Sequence, residues 1–378
     1  MTLKRESNGV IEYEENIHIY TQEEVDLINK EDEKVEKDAL KDVIADGFVR
    51  FPVFFRDKDD NLVEGFSYVS PDFTPSCAEG FSAKNGMNFN IYIPSYGRAG
   101  TAKTMAMMNE YLVENWYAVI DPSQYQEYKK HYPINHLIIR DGSFRSLDKL
   151  DIATSRLSPD TMHGTSGLYN FLLYFSRSLG ETNYWTMDDD IRGVAMKARK
   201  GDSITEAGDK YDKNEYYRCS HMKNAYGFRF NKFLFSIEEL TKKMRNPGFV
   251  GIEKFGLVFA LPIMWKLGTR LYSFYLTSNK TQMDHYGQHN NDVITSLGMS
   301  RAGYVNLLFE GICYDSAPTQ AGGGLTEVYA KFGTLDKGKV LCRTHPHYSK
   351  ITNNYNRIHH SVNYTKYNKQ RIVGAPIK

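Results

Sequence analysis

Asn88-Phe89-Asn90-Ile91-Tyr92-Ile93-Pro94-Ser95-Tyr96-Gly97-Arg98-Ala99-Gly100-Thr101 and, further along, Tyr184-Trp185-Thr186-Met187-Asp188-Asp189-Asp190-Ile191 are the stretches whose reading decides the fold. The first is a short apolar strand, Asn88 to Ile93, stopped by Pro94, then a glycine-containing loop and a helix predicted over Thr101 to Val113. The second is an apolar strand, Tyr184 to Met187, that ends on three aspartates. Between them the rhythm continues with a strand at Trp116 to Ile120, a helix over Gln124 to His131 and a strand at His136 to Ile139. Leu168, Leu172, Phe175 and Leu179 then give helical spacing to Met162–Leu179. Strands alternating with helices predict a mostly parallel, Rossmann-like sheet with its ligand site at the carboxyl ends of the strands.

Three consecutive carboxylates repel one another and resist burial, so something must neutralise them. Hard cations such as Mg²⁺ or Mn²⁺ prefer carboxylate oxygens, and on an extended segment Asp188 and Asp190 share a face while Asp189 looks away. The alternative is a solvated acidic turn. The first loop, with free backbone N–H groups and a helix start, is a natural anion site to which Arg98 can add a forked contact. A phosphate-binding P-loop fits poorly here. Five residues after Gly97 stands Ala102 where that motif needs glycine, and the adjacent Gly-Lys is missing.

Ile93-Pro94-Ser95-Tyr96-Gly97-Arg98-Ala99 followed by Asp188-Asp189-Asp190-Ile191 resembles the nucleotide-sugar glycosyltransferases of the GT-A fold, most of all the phage-encoded TET-associated glycosyltransferases. The resemblance covers roughly residues 88–310. It implies a GT-A-like α/β fold and an enzyme that transfers a sugar from a UDP-sugar with Mn²⁺ or Mg²⁺. The implied acceptor is 5-hydroxymethylcytosine in double-stranded DNA, a modification made by T-even-type bacteriophages. Carried onto this chain, it assigns Pro94, Tyr96, Arg98, Asp121 and Asp189 to the nucleotide sugar, and Asp188 and Asp190 to the metal. Members of the fold commonly draw a further metal ligand from a C-terminal histidine. His345 and His347 are the candidates, with His347 assigned. Asp292 is the candidate general base for an inverting reaction, and is equally placed to cap a helix over Val293 to Leu297. The family's Arg-Asn pair has no arginine in Gly164–Asn170, where Arg156 upstream is the available substitute. Gly322-Gly323-Gly324 reads equally as a mobile loop near the acceptor or a simple turn.

The charge pattern bears on the acceptor. The formal net charge of +1 conceals an acidic start, with 17 Asp+Glu against 9 Lys+Arg in residues 1–60, and an end, residues 337–378, with 9 Lys+Arg and no acid. Tyr348, Tyr355, Tyr364 and Tyr367 lie within that basic end, a mixture suited to phosphate contact and base stacking, or to wrapping the core. The expected organisation is an N-terminal accessory region over 1–85, a catalytic domain over 86–336 and a basic aromatic segment over 337–378. Thr21-Gln22-Glu23-Glu24 predicts a capped helix running to about Ala45. Four scattered cysteines, no apolar run long enough to span a bilayer and no leader-like start predict a reduced, cytoplasmic protein without a membrane partner. Two other functions fit the same features: transfer to a saccharide or protein, and non-enzymatic DNA binding.

Overall fold

The computed structural model describes residues 2–7, 10–14, 21–57, 59–78, 87–147, 166–199, 209–210, 216–218, 230–255, 265–287, 289–316, 335–354 and 357–368. At the amino end, β1 (Thr2–Ser7) and β2 (Val10–Glu14) pair with each other. The helix α1 (Gln22–Ala45) starts on a capping box, with Thr21 Oγ1 accepting from Glu24 N at 3.2 Å and Glu24 Oε2 from Thr21 N at 2.8 Å. A hairpin of β3 (Val49–Arg56) and β4 (Leu62–Val69) follows. The alternating unit is β5 (Ile91–Pro94), α2 (Lys103–Glu110), β6 (Trp116–Ile120), α3 (Tyr125–Tyr128), β7 (Leu137–Arg140), α4 (Ser166–Ser178) and β8 (Asn183–Met187). Beyond it come β9 (Ile191–Arg199), β10 (Asp209–Lys210), β11 (Tyr216–Arg218), α5 (Phe230–Lys243), β12 (Pro247–Lys254), β13 (Trp265–Leu267) and β14 (Phe274–Ser278). The chain closes with α6 (Asn291–Arg301), β15 (Val305–Ser316), α7 (Leu335–Thr344), β16 (Ser349–Asn354) and β17 (Arg357–Val362).

Among the described residues, 13 strands form one sheet in the order β10-β11-β9-β15-β12-β14-β8-β5-β6-β7-β4-β3, with β13 added to β15. The pairs β5–β6, β6–β7, β5–β8 and β12–β15 are parallel, and β14 is antiparallel to both β8 and β12. Hence β7, β6, β5, β8, β12 and β15 all point one way, and their carboxyl ends share an edge with the start of β14. This is the mixed α/β architecture of a glycosyltransferase-like fold. Ile91, Ile93, Trp116, Ala118 and Trp185 are wholly enclosed between the sheet and its helices. Burying each large apolar side chain contributes about 1.5–3 kcal/mol, which fixes the strand ends that carry the polar residues.

The expected strands β5 to β8 are present, β6 over the expected Trp116–Ile120 and the other three with shifted ends. Asn88 and Asn90 stand outside β5 because their side chains bond Glu238 and Glu181. The helix expected to reach Val113 stops near Leu112, which adopts φ 54°. The helix expected over Gln124 to His131 is a 3₁₀ turn opened by Pro122 and then the short α3. Within residues 1–85, β3 and β4 extend the main sheet, since β4 pairs antiparallel with β7. The helix α1 packs on the α3 side of the sheet, where Tyr125 and Lys129 both bond Asp46.

The C-terminal segment sits elsewhere. It packs on α6, where Tyr367 is buried and its hydroxyl donates to Leu297 O, and Tyr348 and Tyr364 join the same cluster. These three tyrosines, suited by sequence either to base stacking or to wrapping the core, are packed inward. Tyr355 lies outside the described residues.

Candidate active site

The loop after β5 is tied to its neighbours before any ligand is considered. Ser95 N donates to Val119 O at 3.0 Å, extending the β5–β6 ladder by one residue. Gly97 (φ 65°) and Gly100 (φ 69°) let the chain turn back toward α2, and a Cβ on Gly100 would stand 2.8 Å from the His131 ring. Pro94 is buried at the end of β5, and Tyr96 is 45 % exposed at the rim. Arg98 turns inward and pairs with Asp189. Ser95 Oγ donates to Asp189 Oδ2 at 2.5 Å and shares a 2.6 Å hydrogen bond with the Tyr128 hydroxyl. Burial outweighs Arg98 and holds the Asp189 carboxyl above its ordinary range. Thus Arg98 and Asp189, both assigned to the nucleotide sugar from sequence, are partners of each other across the sheet edge.

The aspartate turn after β8 is strapped to the first turn of α2. Thr104 N donates to Asp189 O at 3.2 Å, its hydroxyl donates to Asp188 O, and that hydroxyl accepts from Ile191 N at 2.8 Å. Asp188 N donates to Ser273 O at 2.8 Å, so the start of β14 holds the other side. Asp188 Oδ1 accepts from the Tyr169 hydroxyl at 2.7 Å. Asp190 differs from both neighbours, because its Oδ1 is buried with no hydrogen-bond partner among the described residues. Burial, then the charge of Asp188, pushes the Asp190 carboxyl up to about 6, while Arg98 and Lys254 pull the other way.

A buried carboxylate oxygen without a donor is costly unless a ligand completes it. Among the described residues no three His, Cys, Asp or Glu side chains gather as a metal cluster. Two carboxylates nevertheless suit Mg²⁺, which is usually held by one or two protein carboxylates together with substrate phosphates. Asp188 and Asp190, with the orphan oxygen of Asp190, fit that donor set.

The other expected residues divide by position. Asp121 follows β6 at the same edge and takes two hydrogen bonds from Arg140 on Oδ1, from Nε at 2.9 Å and Nη2 at 2.6 Å. Asp292 is the second residue of α6, after Asn290 in the left-handed region (φ 57°). Its Oδ1 accepts from Val293 N at 2.8 Å; burial first, then the charge of Asp188 and least that of Asp292, raise the hydroxyl of Tyr169, the residue bonded to Asp188. At this place Asp292 complements the positive end of the α6 dipole.

His347 lies exposed between α7 and β16, with its ring 6.4 Å from that of Tyr348. His345 beside it feels the charge of Arg301, at the end of α6 opposite Asp292. The C-terminal histidine placed near Asp292 is His360 on β17, whose Nδ1 is 3.2 Å from Asn290 Nδ2. Arg156 and Gly322–Gly324 lie outside the described residues.

Several residues that shape this edge were not singled out from sequence. Ser95 and Thr104 carry no pattern beyond a place in the first loop and helix, and Arg140 is one basic residue ending an apolar strand. Tyr169 sits in the stretch read only for its missing arginine. Its neighbour Asn170 clamps the backbone of His285 from both sides, at 2.8 and 2.6 Å.

Comparison with curated proteins returns no match. The profile of the TET-associated glycosyltransferases matches residues 89–324, a span that opens just before β5 and takes in the first loop, the aspartate turn and α6. With more than half of its length so matched, the chain belongs to the TET-associated glycosyltransferase family and is an enzyme that transfers a sugar.

Proposed function

We propose that the chain moves a sugar from a UDP-sugar to the 5-hydroxymethyl group of cytosine in double-stranded DNA, with Mg²⁺ or Mn²⁺ as cofactor. The observation that carries this reading is the pair Asp188 and Asp190 at the strand edge, one of them holding a buried oxygen with no hydrogen-bond partner among the described residues. These two would hold the cation, which when bound neutralises charge on the departing diphosphate. Pro94, Tyr96 and Asp121 line the nucleoside side, and the Arg98–Asp189 pair keeps the first loop in shape for it. In an inverting transfer the acceptor hydroxyl oxygen bonds to the anomeric carbon, the bond from that carbon to the diphosphate oxygen breaks, and UDP leaves with the electron pair. Asp292 receives the hydroxyl proton. A C-terminal histidine, His347 by the family pattern, would complete the donor set.

Double-stranded DNA as acceptor is supported by the nine Lys+Arg and absent acids of residues 337–378. Phosphate contacts of that kind make binding fall steeply with salt. The described helices include none long and apolar enough to cross a membrane, and we place the reaction in the cytoplasm, that of the host if the chain is phage-encoded. The inward packing of Tyr348, Tyr364 and Tyr367 favours a second reading, in which the basic segment is part of the core and the acceptor is a saccharide or protein.

The test is UDP release and DNA mass with a panel of UDP-sugars, either metal, and hydroxymethylated or plain DNA. Metal-dependent UDP release stimulated by modified DNA alone, with a sugar-sized mass gain, is the expected result. Release indifferent to DNA moves the acceptor to a saccharide or protein, and no UDP binding under any metal sinks the donor assignment.

A further inference from the structure

The cations around the strand edge are mostly committed to carboxylates. Arg98 pairs with Asp189, Arg140 with Asp121 at 2.6 Å, Arg192 with Asp315 at 3.1 Å and Lys266 with Glu310 at 2.6 Å. Arg270, just before β14, is different. Its guanidinium lies 4.9 Å from the Tyr272 ring centroid and 5.9 Å from that of Tyr364, and among the described residues it is in salt-bridge contact with no carboxylate. The acid acting on it is Glu253, which is 4 % exposed and whose carboxyl burial holds above its ordinary range. A carboxyl so disfavoured in its charged form offsets a guanidinium only in part.

The surroundings of Arg270 connect it to the aspartate turn by two routes. Along β12, Glu253 is followed by Lys254, whose charge acts on Asp190. Across the other side, Tyr272 and Tyr364 both feel Asp292, which also acts on Tyr169, the partner of Asp188. Arg270 lies three residues before Ser273, whose carbonyl accepts from Asp188 N at 2.8 Å, and so belongs to the same sheet edge as the aspartate turn. Tyr364, whose ring is brought to Arg270 by the segment that Tyr367 anchors on α6, has a buried hydroxyl with no hydrogen-bond partner among the described residues. A guanidinium 4.9 Å from one tyrosine ring centroid and 5.9 Å from a second, whose buried hydroxyl has no partner among the described residues, is a receptor suited to an oxyanion. Arg98 is closed on Asp189, and Arg270 can meet the leaving group beside the cation that Asp188 and Asp190 would hold.

We infer that Arg270, framed by Tyr272 and Tyr364, binds the terminal phosphate of the donor's diphosphate, so that the C-terminal segment builds one wall of the donor site. This rests on the proposed donor and adds to it a residue that touches the leaving group. It also gives the C-terminal segment a task independent of DNA.

Calorimetric titration of UDP, UMP and inorganic pyrophosphate, each with Mg²⁺, into the full chain and into R270M, R270K and Y364F tests it, with circular dichroism to verify folding. Loss of a charge-assisted contact predicts UDP binding about 10- to 100-fold weaker in R270M, little recovery in R270K, which lacks the planar fork, and a smaller loss in Y364F. UMP, without the terminal phosphate, should bind all four proteins alike. Should R270M fail to fold, R270K and Y364F carry the same test. UDP binding equal to wild type in the folded variants overturns the subsite and leaves the transferase reading standing. Unchanged UDP binding with weakened DNA binding also overturns it, and assigns Arg270 to a backbone phosphate. A wild-type chain that binds neither UDP nor pyrophosphate overturns both readings.

Discussion

The two ends of strand β8 each bury carboxylates, and they treat them in opposite ways. Before its amino end, Glu181 is 3 % exposed and fully received: Ser76 N and Oγ, Asn90 Nδ2 and the Tyr92 hydroxyl donate to it at 2.9, 2.8, 3.0 and 2.8 Å. After its carboxyl end, Asp189 is received in the same manner by Arg98 and Ser95, but Asp190 keeps a buried oxygen that no donor among the described residues meets. A carboxylate answered by the protein's own donors holds segments together. One left unanswered costs stability and is retained where a ligand completes it. The same strand thus has a structural end and a working end, and the difference lies in the donors rather than in the acids.

Exchange at the working end should show the largest effect. Asp190→Asn is expected to lower transfer about a thousandfold or more, while the ligand-free protein melts at the same or a higher temperature because a like-charge contact is gone. A steady-state assay beside a thermal melt reads both, and an active variant would put Asp190 with the structural acids. At the other end Glu181→Ala should cost about 1–3 kcal/mol in urea unfolding, since it strands four donors. A loss below about 1 kcal/mol would show that those donors find water.

Glu238 on α5 sharpens the comparison through pH. It accepts from Asn88 N at 2.6 Å and Trp185 Nε1 at 2.8 Å, and burial pushes its carboxyl up to about 7. The folded value lies above the unfolded one, about 4.5, so the folded chain binds the proton more tightly. Its contribution is full below about pH 4.5 and is lost as pH rises through about 7, up to about 3 kcal/mol in all. Glu238→Gln should remove that slope from the stability profile measured by chemical unfolding, and an unchanged slope would assign it to other groups. The smallest effect concerns the strap. Thr104→Val keeps the shape of the side chain but leaves Ile191 N without its acceptor, and about 1–2 kcal/mol is expected. Because the same hydroxyl orders the aspartate turn, transfer should fall about tenfold with KM for the donor raised, which kinetics at several donor concentrations will show.

Much of the first half of the sheet was legible because its signals are local. Apolar runs ended by Pro94 or by the aspartates mark β5 and β8, and Thr21 with Glu24 marks the start of α1. The second half was not. β12 contains Gly248 and Gly251, residues that argue against a strand, and the reason they are there is a neighbour far along the chain. A Cβ on Gly251 would lie 2.3 Å from Phe274 O, and one on Gly248 2.4 Å from Asn306 Oδ1. The site shows the same division. Which acids lie at the strand ends could be read, whereas Tyr169 on Asp188 and Arg140 on Asp121 could not.

The sequence by itself determined the alternating core, the edge on which polar residues gather and the family that the chain resembles, because periodicity, proline and capping act over a few residues. Only the tertiary structure decided which of three adjacent aspartates is sealed and which is open. The donor that seals Asp189 is Ser95, 94 residues away, and Arg98 is 91 away. Alternation along the strand sets Asp189 apart from Asp188 and Asp190, but what receives it, and which of the other two keeps an open oxygen, is set by segments that meet only when the sheet has formed.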